Sequence, residues 1–344
     1  MTTKRIGFAC KWIDSPEQVN GIKSTDAARV YSTQSTTVAW LHRQTKAAAY
    51  DRLWSIMQHN IRSMQLLVER VAGLDPMLRM VRLSSEALPM YTHRDFAEFY
   101  QQKDAHQYMI REFAALGELA RARDVRVSFH PGQFTVLASD KPQTVDNSIR
   151  EFESHVDMAR MMGYARKFQD FKINVHISGR LGPQGILDVL PRLSEGARNT
   201  ITIENEEMAY GLDDCLTLTK HVAIVLDLHH HWVKTGEYIQ HNDPRIQRVV
   251  DSWRGVRPVL HYSVSREDVL PNHNKAVMPN YKLLIESGYN KPKLRTHSDF
   301  FWNDAVNRYA LAFLDQFDIM CESKAKNLAS RLLYGQHCSD RALC

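Results

Sequence analysis

The sequence predicts a single α/β domain, a (β/α)8 or TIM barrel with a metal site at the carboxyl ends of its strands. Eight short apolar segments alternate with helical segments along the 344-residue chain. That alternation is typical of one barrel of parallel strands rather than of two domains. Six of the strand segments end in a histidine, an aspartate or a glutamate. We therefore expect a barrel over residues 1–330, followed by a disordered tail over residues 331–344.

The elements follow one another in a regular order. The predicted strands are residues 6–10, 80–85, 125–130, 172–176, 201–204, 223–227, 259–261 and 317–322. Helical spacing of apolar residues predicts helices over about 50–71, 105–123, 147–163, after Pro183, within 212–221 and within 243–253. Two connections, residues 11–49 and 266–293, are too long for plain turns. Both leave strand carboxyl ends, the catalytic face of such a barrel, where long loops are commonly functional.

The alternation of side chains within each strand indicates which residues face the barrel interior. Lys172, Asn174 and His176 share one face of the fourth strand, and apolar residues hold the other. Thr202 and Glu204 likewise share one face of the fifth strand. The candidates that this pattern brings to one mouth are His130, His176, Glu204, Asp227, His261 and Glu322.

A single histidine or glutamate at a strand end is ordinarily a solvated or hydrogen-bonded residue. Six in succession on the polar face favour a metal site instead. The group contains no cysteine, which argues against a closed structural zinc site. Mixed imidazole and carboxylate ligands suit zinc, manganese or iron in an open, catalytic site.

The composition is that of a globular protein with a large core, since 44% of residues are hydrophobic and 24% are charged. The net charge of +5 neither requires nor excludes nucleic acid. Five cysteines without CxxC spacing, and the lack of an apolar leader or membrane-length apolar run, lead us to expect a cytoplasmic protein without membrane association.

Nine motifs identify a family resemblance. They are RIGFAC, RLSS at 82–85, SFHPGQF at 128–134, NVHISG at 174–179, ENEE at 204–207, LDLHHH at 226–231, HYSVS at 261–265, THSDF at 296–300 and ESKAK at 322–326. In this order they resemble the UV damage endonuclease family, which is similar in fold to endonuclease IV and xylose isomerase. The resemblance implies a metal-dependent DNA repair enzyme that nicks damaged duplex DNA immediately 5′ to ultraviolet photoproducts. It implies 3′-hydroxyl and 5′-phosphate products, and association with the nucleoid in a bacterial cell.

The resemblance also implies a set of metal ligands. These are His130, His176, Glu204, Asp227, His230, His261, His297 and Glu322. Spacing alone does not choose among His229, His230 and His231, and the resemblance selects His230. It implies about two or three divalent ions, with manganese favoured over zinc or magnesium, and no catalytic residue separate from the ligands.

Two positions depart from the family pattern. Relatives carry a lysine two residues before the histidine of the seventh strand, where its carboxylated amine bridges metals, and this chain has Val259. Because Val259 shares the inward face of His261, we expect no other side chain to bridge the metals in the lysine's place. We expect Val259→Lys to raise metal occupancy. Trp12 stands where relatives tend to carry an asparagine.

Three further histidines do not match the ligand pattern. His155, within a predicted helix, and His221, at a helix end, are expected to be solvated surface residues. His93 follows the second strand and is an open candidate for a place near the site.

Four residues are candidates for DNA contacts. Gln133 and Phe134 resemble the family's pair that probes the duplex at a lesion, and the alternative is a Pro-Gly turn with a buried phenylalanine. Lys324 and Lys326 are candidates for phosphate contacts, and the alternative is a solvated charge pair at a helix start.

Two other functions are open on the sequence alone. One is a sugar isomerase or epimerase of the xylose-isomerase type, and the other is a DNA-binding relative that has lost catalysis. We expect a monomer in each case.

Overall fold

The computed structural model describes residues 3–20 and 26–342. Within them, eight parallel strands form one sheet that curves into a barrel. The strands are β1 Ile6–Ala9, β2 Met80–Arg82, β3 Arg126–Phe129, β4 Lys172–His176, β5 Ile201–Glu204, β6 Ala223–Val225, β7 Val259–Tyr262 and β8 Asp318–Cys321. Each lies within a segment predicted as a strand or extends it by one residue.

The strands are connected by helices on the outside of the barrel. These are α1 Asp26–Arg29, α2 Val38–His42, α3 Lys46–Ala72, α4 Ala97–Gln101, α5 Lys103–Ala122, α6 Pro142–Met161, α7 Gly182–Val189, α8 Glu195–Thr200, α9 Leu212–Leu216, α10 Leu228–Thr235, α11 Pro244–Ser252, α12 Tyr281–Glu286, α13 Lys291–Leu294, α14 Asp304–Leu311 and α15 Lys326–Ala342. The two long connections contain short helices of their own, α1 and α2 in the first and α12 and α13 in the second.

Side-chain caps fix where several helices begin. Thr45 precedes α3 and accepts a hydrogen bond from the amide of Ala48 at 3.2 Å. Asp227 precedes α10, and its Oδ1 accepts from the amide of His230 at 2.6 Å. The second cap ties an expected metal ligand to the start of a helix, so backbone geometry orients it.

The barrel closes between β6 and β7 at the level of the expected metal site. Strands β1 to β6 pair in chain order, and β8 pairs with both β1 and β7. The seam between β6 and β7 is joined by a parallel bridge between Asp227 and His261. The amide of His261 also donates to the carbonyl of Leu226 at 2.9 Å. The predicted fold class is confirmed.

The interior of the barrel is layered along its axis. At the amino-terminal end, Asp318 is fully buried and accepts hydrogen bonds from Arg126 and Arg257, both at 2.7 Å. Above it lies an apolar layer that includes Met80, Val259 and Met320. The expected ligands come next, at the carboxyl ends of the strands. The order from floor to mouth is therefore ion pairs, apolar packing, then metal-type donors.

Two expectations about the periphery are wrong. Residues 331–342 belong to helix α15, which packs on β1, and Leu333 on this helix is buried. His155 is 1% exposed because its face of α6 is turned toward β3, where its ring meets the edge of Phe129. His221 is exposed, as expected.

No helix in residues 3–20 and 26–342 is long and apolar enough to cross a lipid bilayer.

We predict that Asp318→Asn lowers the free energy of unfolding by about 3–5 kcal/mol, because it leaves two largely buried guanidinium groups without a counter-charge. Urea unfolding followed by circular dichroism measures the change. Glu286→Gln is the control, since its partner Lys282 is 85% exposed and a surface pair contributes at most about 1 kcal/mol. Equal, small changes in the two variants would contradict the interpretation of the barrel floor.

Candidate metal centre

The expected ligands lie together because strand register places them at one height. His176 pairs with Glu204 across β4 and β5, and Asp227 bridges to His261. The amide of Glu322 donates to the carbonyl of Tyr262 at 2.8 Å, which sets β8 at the matching level. Side chains from separate strands therefore converge on one mouth.

Glu204 lies at the centre of the group. It is fully buried, and its two oxygens face different partners. Oε2 lies 3.4 Å from Nε2 of His130 and 4.0 Å from Nε2 of His176. Oε1 lies 3.0 Å from Nδ1 of His261 and 3.6 Å from Nδ1 of His230. The two oxygens of this carboxylate therefore face imidazoles from different parts of the barrel mouth.

The donor groups fit a divalent metal ion. The donor atoms of His130, His176 and Glu204 lie within 4.8 Å of one another, as do those of Glu204, Asp227 and His261. Two ligand atoms bound to one ion at ordinary bond lengths are separated by roughly 3–3.5 Å, and Nε2 of His130 lies 3.4 Å from Oε2 of Glu204. Oδ2 of Asp227 is buried and finds no hydrogen-bond partner among residues 3–20 and 26–342. A bound cation would satisfy a buried carboxylate oxygen of this kind.

The remaining expected ligands lie around the same mouth. Glu322 Oε1 is 3.3 Å from Nδ1 of His261, and its Oε2 is 3.9 Å from Nδ1 of His297. The guanidinium of Arg82 donates to Glu322 and holds it from β2. Nδ1 of His230 is hydrogen-bonded to the carbonyl of Asn205 at 3.0 Å, so that Nε2 faces the cavity.

Burial and charge shift the pKa values of this group in opposite directions. Burial raises the pKa of Asp227 to about 8 and lowers that of His261 to about 4. At His230 burial also disfavours the charged imidazole, but Asp227 and Glu204 outweigh it and raise the pKa to about 9. Protons therefore occupy part of the site when no cation does, and we expect metal binding to release them.

A lysine from another strand contacts the histidine of β7, and the expectation that no side chain fills the bridge of the family lysine stays a prediction. Lys172, on β4, is buried, and its Nζ lies 2.9 Å from Nε2 of His261. Burial lowers the pKa of this amine to about 7. A lysine thus reaches the histidine of β7 from a strand on the other side of the barrel, while Val259 on β7 does not.

The side chains at the two departures from the family pattern are both buried. Val259 is 1% exposed and belongs to the apolar layer below the ligands, so a lysine there would place its stem where Met320 and Trp253 pack. Trp12 is buried against Phe8. Neither side chain belongs to the donor clusters.

Three residues of this mouth were not singled out from the sequence. Lys172 lies on the polar face identified on its strand, but its partner on another strand could not be read from alternation. Glu207 lies in the ENEE motif, with Oε2 3.7 Å from Nε2 of His230. Arg295 lies two residues before His297 and donates to Glu207 at 3.0 Å.

The Gly132–Phe134 segment protrudes from the mouth. Phe134 is 85% exposed and Gln133 is exposed, between buried Pro131 and Thr135. The amide of Thr135 donates to the carbonyl of Gly132 at 2.9 Å and closes the turn. The alternative of a buried phenylalanine is therefore wrong.

The two candidate lysines are less available than the sequence suggests. Lys324 forms an ion pair with Asp299 at 3.1 Å, and Lys326, at the start of α15, is partly buried. Burial lowers the pKa of Lys326. His93 lies beside Phe134 in a surface depression, outside the donor clusters.

Comparison with known proteins identifies the family. A sequence model of the UV-endonuclease UvdE family matches residues 5–336. A UV DNA damage endonuclease from Bacillus velezensis is 27% identical over 299 residues, which cover 82% of this chain and 84% of that protein. One from Bacillus mycoides is 26% identical over 305 residues, covering 86% and 85%. These matches extend over the barrel and its strand ends alike.

The crystal structure of SacUVDE has the same fold. It superposes with a TM-score of 0.70 at 19% identity, over 98% of this chain and 99% of that one. Because the family match spans nearly all of the sequence, this chain belongs to the UV-endonuclease UvdE family.

Proposed function

We propose that this protein is a metal-dependent DNA repair endonuclease that nicks the phosphodiester bond 5′ to ultraviolet photoproducts and leaves a 3′-hydroxyl and a 5′-phosphate. The relatives from Bacillus are named UV DNA damage endonucleases. The observation that carries the proposal is Glu204, whose two oxygens face two groups of imidazole and carboxylate donors at the barrel mouth. We propose that the eight ligands expected from the sequence hold two or three divalent ions there, with manganese favoured.

The residues of the mouth have distinct tasks in this proposal. His130 and His176 serve as neutral donors, and Glu204 offsets cation charge and spans the two groups. Asn174 donates to Glu204 and fixes the orientation of its carboxylate. Arg82 does the same for Glu322. A divalent ion supplies, when bound, charge neutralisation at the phosphate and activation of water.

Gln133 and Phe134 are proposed to probe the duplex. A recessed mouth reaches a scissile phosphate only if the damaged bases leave the helix, and weakened stacking at a lesion lowers that cost. An exposed aromatic ring beside the mouth can stack in the gap, and the neighbouring glutamine can hydrogen-bond the base left without a partner.

The first test is incision of an irradiated, end-labelled duplex by protein loaded with Mn²⁺. We expect one nick 5′ to the photoproduct, with a 3′ end that a polymerase extends, and no nick in unirradiated duplex. Glu204→Gln should lower the rate by about two orders of magnitude or more, because it removes the shared carboxylate charge.

Three outcomes of that test count against the proposal. Full incision by chelator-treated protein would exclude a metal mechanism. Binding without incision would favour a relative that has lost catalysis. Neither binding nor incision would leave the isomerase alternative.

We predict that Lys172→Met weakens divalent metal binding by about 10- to 100-fold, because it leaves Nε2 of buried His261 without its partner and frees the ring to turn. Titration of metal-free protein with Mn²⁺ measures the affinity. Lys220→Met, at an exposed position, is the matched control. Unchanged or tighter binding in a folded Lys172→Met protein would contradict a role for Lys172 in positioning His261.

We predict that Phe134→Ala reduces preference for damaged DNA by about tenfold, since stacking on a base contributes about 1–3 kcal/mol. The measurement is the ratio of affinities for irradiated and intact duplex. Leu332→Ala, another exposed apolar side chain, controls for surface changes. Metal content should be unchanged in Gln133→Ala, Phe134→Ala double-mutant protein. An unchanged affinity ratio would remove both residues from lesion recognition.

A further inference from the structure

Arg295 and Glu207 form an ion pair across the mouth. Glu207 comes from the loop after β5, and Arg295 follows α13 in the loop after β7. Nη1 of Arg295 lies 3.0 Å from Oε1 of Glu207. The carboxylate side chain is 11% exposed, whereas the arginine side chain is 49% exposed. The acidic partner is thus anchored in the wall and the basic partner reaches into the open space.

The open space is a cavity next to the donor clusters. It has a volume of about 200 Å³, and His176, His230, Gln133 and Arg295 all line it. Among the described residues of its lining, Arg295 is the one lysine or arginine. The cavity therefore connects expected metal ligands, an expected lesion probe and a single cationic side chain.

The guanidinium has donors to spare. In the part of the chain that the structure describes, its one side-chain hydrogen bond is to Glu207. A guanidinium carries several N–H donors in a planar fork, and that fork matches the oxygens of a phosphate. Glu207 satisfies one edge of the fork and leaves the others directed to the cavity or to solvent.

We infer that Arg295 binds a phosphate of the DNA strand within this cavity, and that Glu207 is the positioning residue that holds it there. The inference rests on the proposed function. The wall otherwise presents the carboxylates of Glu206 and Glu207, which repel a polyanion, so Arg295 also neutralises the approach. Lys324 and Lys326 do not line this cavity, and Lys326 is partly buried.

A purely structural role makes a different prediction. Arg295 lies two residues before His297, whose backbone forms a bridge with Ser265. If the ion pair served only to hold this loop in place, substitution of either residue would have the same effect on the protein. Arg295→Gln and Glu207→Gln would then lower metal affinity and thermal stability alike. A phosphate contact predicts that the two variants differ, because only the first removes the phosphate-binding group.

The experiment compares DNA binding by wild type, Arg295→Gln, Glu207→Gln and Lys293→Gln. Lys293 is exposed on α13, outside the cavity lining, and its variant has the same change in charge as Arg295→Gln. Affinity for irradiated duplex is measured at several salt concentrations in a chelator, so that no strand is cut. Incision by Mn²⁺-loaded protein and metal content are measured in parallel.

For Arg295→Gln we expect about tenfold weaker binding, a salt slope reduced by about one, a raised KM and unchanged metal content. Arg295→Lys should recover part of the affinity, and Glu207→Gln should keep the wild-type slope. Equal losses of DNA affinity in Arg295→Gln and Lys293→Gln would overturn the inference. Equal affinities and salt slopes in Arg295→Gln and Glu207→Gln would also overturn it. Wild-type protein that neither binds nor nicks irradiated duplex would instead overturn the proposed function, so the two failures are distinguishable.

Discussion

The burial of one carboxylate constrains the whole mouth of this barrel. Glu204 is 0% exposed, and a buried charge is tolerated only when hydrogen bonds and opposite charge surround it. Its pKa is well below the usual range because, although burial opposes ionisation, the imidazoles of His261 and His176 and a hydrogen bond from His130 outweigh it. These partners come from β4, from β7 and from the residue that follows β3. The strands must therefore keep one register for Glu204 to be satisfied, and that same register brings the donors into metal-binding distance.

The sequence predicted the eight strands and the residues at their ends because both depend on local information. Period-two alternation determines which side chains face inward, and a strand end determines their height in the barrel. Interactions across the barrel could not be predicted in this way. Lys172 was placed on the inward face, but whether its long side chain meets His261 depends on the diameter of the barrel and on what fills the layer between them. Val259, which stands in the sequence position of the family lysine, belongs to the apolar packing beneath the ligands.

The errors at the periphery have a related cause. A helix face is assigned from apolar spacing, and His155 was taken as polar because histidine is often exposed. Its Nδ1 bonds to the carbonyl of Glu151 at 2.8 Å within α6, so the ring meets the barrel with one nitrogen satisfied. The last helix was missed because residues 331–342 carry a weak apolar signal. Packing of α15 on β1, and not propensity, accounts for its order there.

Among the described residues, the charges at the two ends of the barrel are arranged differently, and the candidate groups of metal donors lie at the mouth. Asp318 at the floor is offset by the guanidinium groups of Arg126 and Arg257, so this ion cluster is complete without a ligand. At the mouth, Arg82 pairs with Glu322, and Oδ2 of Asp227 has no hydrogen-bond partner within residues 3–20 and 26–342. A site that is fully paired stabilises the fold by itself, whereas a site with unpaired donors gains stability from a ligand that pairs them. This difference along a single barrel axis is the physical reason to place chemistry at the carboxyl ends of the strands and structural support at the other.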